Sequence, residues 1–299
     1  MALLVSFARV AARLSLRCEV ATVDHGLRPE AAADARLVLD AADAAGLVAR
    51  VAKVDLAPGP ALEARARAAR YAALLQIKAQ QGLAWLITAH TASDQAETVV
   101  MRLSRGSSMT GVGAVRTTRA DGVARPLLFA SRDDIEAYLK ALGASWVHDA
   151  MNDDPRFQRV KVRQTVLPVI EAAAPGATRA MARFAELASE DDELLNRHAA
   201  AALARIRWAD DGSLDRVALC TLERPIARRV VALFLTAHDL ELDSELVAEV
   251  LLAAAQQRDT ALPNDQVLRC AHGRVWVVPA PARRIHQTSS SAHGRGENS

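Results

Sequence analysis

One polar stretch of the sequence brings an imidazole and two carboxylates close together. TAHTASDQAET, residues 88–98, contains His90, Asp94 and Glu97. Asp94 and Glu97 are three residues apart, so on a helix their carboxylates share a face and could act on one ligand. The stretch joins an apolar run to a helical pattern, which is where open α/β sheets bind ligands. A plain helix N-terminus, with acids complementing the backbone dipole, explains the same residues equally well.

A second group of candidate residues lies in LEARARAARY, residues 62–71. Arg67, Arg70 and Tyr71 occupy neighbouring positions of a predicted helix there. A guanidinium held on that face could bind a phosphate or a carboxylate. The spacing by itself favours an ordinary salt-bridged surface.

A third stretch, NDDPRFQRVKVR, spans residues 152–163. Arg156, Arg159 and Arg163 are spaced for one helical face. An arginine stripe of this kind suits a nucleic-acid backbone better than a small substrate. A peripheral charged helix is the alternative.

The glycine-rich stretch RGSSMTGVG, residues 105–113, does not have the pattern of a P-loop. Such a loop needs Lys and then Ser or Thr after its second glycine, and here Val112 and Gly113 follow. A helix end with a flexible loop is favoured, and a loop that presents Arg105 to RNA or substrate is the alternative. A more suggestive turn is His25–Gly26, which directly follows the apolar run of residues 20–23.

Strand and helix patterns alternate through the first half of the chain, which predicts a doubly wound α/β fold with a parallel sheet. The expected strands are residues 18–23, 48–56 and 84–90, and the expected helices are residues 2–16, 29–47, 61–83 and 93–106. A helix therefore precedes the first strand, although such sheets normally begin with a strand and a phosphate-binding turn.

The second half of the chain has a different pattern. From residue 177 it is almost continuously helical, with a short β-like finish over residues 266–281. We expect an α/β domain at residues 1–176, a mainly helical domain at 177–287 and a disordered tail at 288–299.

Composition restricts the class of protein. Lysine and arginine number 37 against 35 aspartates and glutamates, so the net charge of +2 does not by itself indicate a polyanion partner. The three cysteines, Cys18, Cys220 and Cys270, are far apart in sequence and form no CxxC pair, which argues against a cysteine-held cluster. With no convincing signal peptide or membrane span, a cytoplasmic protein that does not contact a membrane is expected.

Five stretches together resemble the tRNA(Ile)-lysidine synthases, a family of the PP-loop ATP-pyrophosphatase group. They occur in family order and with family-like spacing: VDHGLRPEAAADA, LEARARAARY, TAHTASDQAETVVMRLSRGSS, RPLL followed by SRDDIEAYL, and WVHDAMNDDPRFQRVKVR. The resemblance is strong over residues 1–175 and looser to Pro281. It implies a PP-loop, adenine nucleotide alpha hydrolase-like domain followed by a helical domain that contacts tRNA.

The resemblance also implies a reaction. ATP with Mg²⁺ would adenylate C2 of the wobble cytidine of a tRNA(Ile) with a CAU anticodon, and free L-lysine would then displace AMP to give lysidine. The resemblance also implies roles for individual residues. Asp94 and Glu97 would contact the metal, the lysine amine or the cytidine, with Asp94 as the metal ligand. Arg67 or Arg70 would stabilise the adenylate. The other groups are the nucleotide-cleft residues His25, Gly26 and His90, and the RNA-facing residues Arg105, Arg156, Arg159 and Arg163.

The sequence departs from the family pattern in two motifs. The Ser-Gly-Gly-x-Asp-Ser loop that wraps the ATP phosphates is absent, so we expect an N-terminally truncated chain that binds ATP poorly as written. Thr91 and Ser93 replace a histidine and an aspartate of the second motif. A tRNA-binding pseudoenzyme and another PP-loop tRNA-modifying enzyme are the alternatives, and a homodimer is kept open.

Overall fold

The fold was analysed in a computed structural model that describes residues 1–24, 31–57, 59, 62–107, 109–113, 115–144, 146 and 158–281. The chain divides into two compact units, Met1–Asp192 and a second that begins at Glu193. Their border lies inside one long helix, Ala177–Ile206. The expected functional boundary at residues 176 and 177 stays a prediction.

The first unit alternates helices with short strands. Its elements are α1 (Ala2–Leu14), β1 (Glu19–Asp24), α2 (Ala31–Ala44), β2 (Val48–Lys53), α3 (Leu62–Gln80), β3 (Leu86–Ile87), α4 (Ala92–Leu103), α5 (Met109–Val112), β4 (Val123–Ala124), α6 (Arg132–Ala141), α7 (Gln158–Lys161), a π-helical turn (Val162–Val166) and α8 (Leu167–Ala173). This order confirms the predicted α/β class.

The strands of the first unit pair in parallel. β1 pairs with β2 from Glu19↔Val48 to Asp24↔Lys53, and β3 pairs with β4 through Leu86↔Val123 and Ile87↔Ala124. Helical crossovers connect the paired strands, because two parallel neighbours cannot be joined by a tight hairpin. Within the described residues the two ladders have no strand in common.

The strand predicted over residues 84–90 is shorter than expected. Only Leu86 and Ile87 form β3, although the Thr88 amide still donates to the Ala124 carbonyl oxygen. The chain then turns because Thr91 becomes the N-cap of α4. The strand therefore ends a few residues before Thr91, which caps the next helix.

The segment that carries Arg159 and Arg163 is helical but not uniform. Its middle, Val162–Val166, is a π-helical turn, and Pro168 lies in the first turn of α8. Proline has no amide hydrogen and crowds the carbonyl four residues before it, here that of Gln164. The wider π-helical bonding accommodates this defect and rotates the side chains of the turn relative to a regular α-helix.

The second unit packs three further helices and a small sheet against the C-terminal half of α9 (Ala177–Ile206). Its elements are β5 (Leu214–Asp215), α10 (Arg216–Thr221), α11 (Arg224–Thr236), α12 (Ser244–Gln256), β6 (Thr260–Leu262), β7 (Gln266–Ala271) and β8 (Arg274–Pro279). The sheet is antiparallel in the order β5-β8-β7-β6. The predicted helical character with a β finish is confirmed.

One apolar core holds the second unit together. Leu219, Val230, Leu235 and Leu268 are all completely buried in it.

In the part of the chain that the structure describes, no helix is both long and apolar enough to cross a membrane.

Candidate active site

The N-terminus of α4 forms a complete capping box. The Thr91 hydroxyl accepts from the Asp94 amide at 3.4 Å, and Asp94 Oδ2 accepts from the Thr91 amide at 2.8 Å and from its hydroxyl at 2.9 Å. These bonds satisfy amide hydrogens that an α-helix leaves unpaired at its start. The helix-capping reading of Asp94 is therefore correct, and it uses one of the two carboxylate oxygens.

Glu97 lies one turn further along α4 and is wholly buried. Arg159 Nε donates to its Oε2 at 2.5 Å, while Arg163 donates from Nε to Oε1 at 2.5 Å and from Nη2 to Oε2 at 3.1 Å. The carboxylate has an exposed fraction of 0%. Desolvating a carboxylate costs several kcal/mol unless it is paired and hydrogen-bonded. Glu97 therefore anchors two guanidinium groups.

Arg159 also connects Glu97 to Asp94. Its Nη2 lies 3.1 Å from Asp94 Oδ1, and the Asp94 side chain keeps 19% of its surface exposed. Burial would raise the pKa of Asp94, but the charge of Arg159 and the two bonds from Thr91 outweigh it, so this pKa lies below its usual value of 3.8. Asp94 is the carboxylate of this pair that retains access to solvent.

His90 precedes the cap and contacts Thr88. The Thr88 Oγ1 and the His90 Nδ1 are 3.0 Å apart. Burial lowers the pKa of His90 from 6.5 to about 4; the charge of Asp94 acts in the opposite direction, and the charges of Arg125, Arg67 and Arg159 add to the lowering. The imidazole is consequently neutral at physiological pH.

Tyr71 of α3 lies among three arginines. The guanidinium carbons of Arg67 and Arg119 are 5.2 Å and 5.3 Å from its ring centroid, and Arg125 Nη2 donates to its hydroxyl at 3.3 Å. Burial opposes ionisation of Tyr71, but Arg125, Arg67 and the Thr88 hydroxyl outweigh it and lower the pKa of Tyr71.

Arg125 is the least expected member of this group. It is 2% exposed, its Nη1 donates to the Arg116 carbonyl oxygen at 2.6 Å, and its Nε has no hydrogen-bond partner in the described structure. A buried guanidinium without a carboxylate makes its surroundings electropositive, which favours an anion nearby.

The structure brings together some of the predicted site residues. His90, Asp94, Glu97, Arg67 and Arg159 act on one another electrostatically or by hydrogen bonds, and Arg163 joins them through Glu97. Arg70 is exposed beside them on α3. Arg105 is exposed and donates to the Gln158 side chain. His25, Gly26 and Arg156 lie outside the described residues.

The geometry gives two of the predicted RNA-facing arginines another role. Arg159 and Arg163 share a helical face as expected, but their guanidinium groups contact the carboxylates of α4. Sequence reasoning could not see this because the partners are more than sixty residues away in sequence. It also missed the contact of Thr88 with His90; the signal available was a hydroxyl two residues before a histidine at a strand end.

Of the two carboxylates on α4, Asp94 is the one that fits a divalent cation. Glu97 does not fit, since arginines occupy both of its oxygens. Among the described residues, Asp94 Oδ1 contacts the side chain of Arg159, and Mg²⁺ in nucleotide sites commonly takes one or two carboxylates together with substrate phosphates. Among the residues that the structure describes, no three His, Cys, Asp or Glu side chains cluster to form a complete site by themselves.

The fold and this site define a PP-loop protein: the PP-loop domain family matches residues 1–170. In fold the chain is similar to the U34-tRNA thiolase NcsA from Methanococcus maripaludis with its 4Fe–4S cluster, at a TM-score of 0.52 and 15% identity over 62% of this chain and 68% of that one. A likeness at this identity concerns the fold alone.

Curated relatives identify the branch. The chain is 40% identical to the tRNA(Ile)-lysidine synthase of Deinococcus deserti over 92% of its own length and 52% of the relative. It is 36% identical to the enzyme of the same name from Thermus thermophilus over 88% of this chain and 52% of the relative. It is also 36% identical to the one from Rhodopseudomonas palustris over 89% of this chain and 82% of the relative. The chain thus spans about half the length of the first two relatives, and it belongs to the tRNA(Ile)-lysidine synthase family.

Proposed function

We propose that this protein ligates lysine to C2 of the wobble cytidine of a tRNA(Ile) with a CAU anticodon, at the expense of ATP. The observation that carries the proposal is the solvent-accessible Asp94 beside a neutral His90, in a site made positive by Arg67, Arg125 and Arg159. The similarity to curated relatives that are named tRNA(Ile)-lysidine synthases supports it.

The positive groups would serve the first half of the reaction. The cytidine carbonyl oxygen is a poor leaving group, and transfer of AMP to it from ATP, with release of pyrophosphate, makes it a good one. Negative charge on the transferring phosphate is stabilised by guanidinium groups that need not reorganise. Arg67 and Arg125 fit this role because neither has a carboxylate partner among the described residues.

Asp94 would serve the second half of the reaction. The lysine ε-amine, with a pKa of about 10.4, must lose a proton to attack C2, and a carboxylate that is ionised at neutral pH can orient the ammonium group as it gives up that proton to water. Asp94 is ionised, since its pKa is lowered, and it retains exposed surface. Glu97 contributes indirectly by holding Arg159 against Asp94.

The finer assignments belong to the same proposal. Mg²⁺ would be held by Asp94 Oδ1 together with the phosphates, and would offset their charge. The adenylate would also be contacted by Arg70. The RNA would be contacted by Arg105 and Arg156, and the nucleotide cleft would include His25 and Gly26. We propose a cytoplasmic location, because the proposed substrates tRNA, ATP and free lysine occur there, and homodimer formation stays a prediction.

The test is lysine incorporation by the protein expressed from its complete reading frame. Labelled lysine, ATP and a tRNA(Ile) transcript with a CAU anticodon are expected to give lysine-bearing tRNA with one pyrophosphate released per lysine. A transcript with uridine in place of the wobble cytidine is the control and should accept none. Absence of lysine transfer with the cytidine transcript would refute the function, and tRNA binding without pyrophosphate release would support a pseudoenzyme.

A thiolase that depends on an iron–sulfur cluster is the less favoured PP-loop reaction. All three cysteines are described and free: Cys18 is half-buried, Cys220 is exposed and Cys270 is buried. They form no CxxC pair in the sequence. Such a cluster commonly takes ligands from closely spaced cysteines, so this cysteine pattern supports ligation over thiolation.

A further inference from the structure

Phe129 is 79% exposed, more than any other large apolar side chain that the structure describes. It lies in the turn that leads from β4 to α6, beyond the carboxyl end of that strand. A single exposed apolar side chain is ordinary on a protein surface. Phe129 differs from that case because its turn is fastened to α4 and because it lines a cavity.

Two hydrogen bonds fasten this turn to the start of α4. The Ala92 amide donates to the Ala130 carbonyl oxygen at 2.8 Å, and the Arg132 amide donates to the Ser93 hydroxyl at 3.1 Å. Ala130 itself is only 5% exposed. Because the backbone next to Phe129 is already fixed, its side chain can contact a ligand without the cost of ordering a loose loop.

The cavity beside Phe129 has a volume of about 300 Å³. This volume lies at the lower limit of pockets for small ligands, so the cavity has room for one planar ring system. Its walls come from α4, from the turn and from the first half of α9: Gln95, Leu128, Phe129, Arg179, Arg183 and Glu186.

The α9 wall of the cavity offers both a hydrogen-bond donor and an acceptor. Arg183 and Glu186 are exposed and lie three residues apart, which places them on one face of the helix. Arg179, by contrast, is engaged, since its Nη2 donates to both Asp134 oxygens at 2.8 Å and 2.9 Å. The edge of a nucleobase carries donors and acceptors together, so this wall suits a base better than a phosphate, which has acceptors alone.

The cavity and the active site share the first turns of α4. Gln95, a wall residue that is 3% exposed, directly follows Asp94. Successive residues of an α-helix are rotated by about 100°, so the cavity and the Asp94 carboxylate lie on neighbouring faces of the helix. An RNA strand with its reacting base at Asp94 can therefore bring the base of an adjoining nucleotide to Phe129.

We propose that Phe129 is the stacking platform for an unpaired tRNA base next to the wobble cytidine, and that Arg183 and Glu186 contact the edge of this base. The inference rests on the proposed function, which supplies the tRNA. Sequence-specific RNA recognition targets unpaired loop bases, which stack on aromatic side chains and form hydrogen bonds along their edges. Binding the neighbouring base positions the cytidine before AMP is transferred to it.

The direct test is the affinity of the full chain for a tRNA(Ile) transcript with a CAU anticodon, measured without ATP or lysine. Phe129→Ala should weaken binding about tenfold, a loss typical of one base stacked on an aromatic ring. Phe129→Leu should lose as much, since it keeps apolar volume without an aromatic face, and Phe129→Trp should retain the wild-type affinity. The ratio of the wild-type and Phe129→Ala affinities should not change with salt, because no phosphate contact is removed.

The matched control is Trp85→Ala. Trp85 is 52% exposed and directly precedes β3, so it lies at the opposite end of the parallel β3–β4 ladder from the turn that carries Phe129. Its removal should leave the affinity for the transcript unchanged. A loss in Trp85→Ala equal to that in Phe129→Ala, or a wild-type affinity of Phe129→Ala, overturns the proposal.

A tRNA that lacks one base identifies the stacked nucleotide. The base is removed either from the nucleotide before the wobble cytidine or from the one after it. At one of these two positions Phe129→Ala should cause no further loss of affinity, because the base that it would release is already absent. A full tenfold loss on both abasic tRNAs overturns the proposal.

These binding measurements involve no chemistry, so they fail independently of the lysine-transfer assay. Coupling between Phe129 and a flanking base without lysine transfer refutes the proposed function and leaves the stacking role. Lysine transfer without such coupling refutes the stacking role alone. A changed oligomeric state of Phe129→Ala with unchanged RNA affinity would assign the ring to a contact between two copies and would also overturn the proposal.

Discussion

Arg163 donates two hydrogen bonds to the Glu97 carboxylate: its Nε lies 2.5 Å from Oε1, and its Nη2 lies 3.1 Å from Oε2. The bonded atoms join α4 to the π-helical turn, 66 residues further along the chain. The planar guanidinium matches a carboxylate in a way that an ammonium group cannot. Arg159 binds the same Glu97 carboxylate. The position of Glu97 therefore also determines where the guanidinium of Arg159 lies next to Asp94.

Removing the charge of Glu97 should destabilise the first unit. Glu97→Gln keeps the shape but leaves two guanidinium groups without an ionised partner. Breaking a fully buried pair costs about 3–5 kcal/mol; because the arginine side chains are 18–26% exposed, we expect about 2–3 kcal/mol here. Urea unfolding measures the loss, with the exposed Glu186→Gln as control. A change below about 0.5 kcal/mol would show that the pair is not a structural anchor.

Replacing Asp94 should separate activity from capping. We expect Asp94→Asn to lower kcat for lysine transfer at least about a hundredfold through loss of the ionised group, with a stability change of about 1 kcal/mol. The matched control is Asp134→Asn, because Asp134 occupies the same capping-box position of α6, with Ser131 as its N-cap. The control should lose similar stability and keep its activity. Equal kinetic effects of the two variants would remove Asp94 from the reaction.

Acid should destabilise the protein through His90. The unfolded chain takes up a proton at this residue near pH 6.5, whereas the folded protein does so only near pH 4, because burial and then the arginines disfavour the charged ring. Stability is therefore lost as the pH falls from about 6.5 towards 4, by at most about 1.4 kcal/mol per pH unit. The lowered pKa of Asp94 adds to the loss at more acid pH.

Variants at histidine positions check the origin of that slope. His90→Gln should flatten the dependence of the unfolding free energy on pH between 6.5 and 4. His198→Gln, at an exposed site on α9, should leave it unchanged. Identical slopes for the wild type and both variants would mean that His90 titrates normally in the folded protein.

Two leucines of helix α11 can test whether the core of the second unit is packed as described. Leu235 and Leu233 lie two residues apart on α11, and their exposed fractions are 0% and 40%. Leu235→Ala should cost about 3 kcal/mol through lost burial and the cavity that it leaves, and Leu233→Ala less than about 1 kcal/mol. Thermal unfolding of the two variants under the same conditions gives the comparison, and equal costs would contradict the packing described for this helix.

The agreement between sequence and structure is greatest where local patterns act. Alternating apolar runs and helical periods predicted β1, β2 and the crossover helices close to their observed bounds. The fourth helix was expected from residue 93, whereas Thr91 is its N-cap and α4 begins at Ala92. Residues 84–90 were less predictable, because the same residues suit a strand and the approach to a cap. The π-helical turn was not anticipated, although Pro168 marks its cause.

By itself the sequence determined the α/β class, the change to a helical second half, the family, and the candidate residues His90, Asp94 and Glu97 at the start of α4, because each is carried by local periodicity or by a short motif. Tertiary structure decided what those residues contact. Asp94 and Glu97 look equivalent in the sequence, yet one keeps exposed surface and the other is sealed by Arg159 and Arg163. Desolvation and the pairing of distant charges depend on three-dimensional proximity, and no local pattern encodes them.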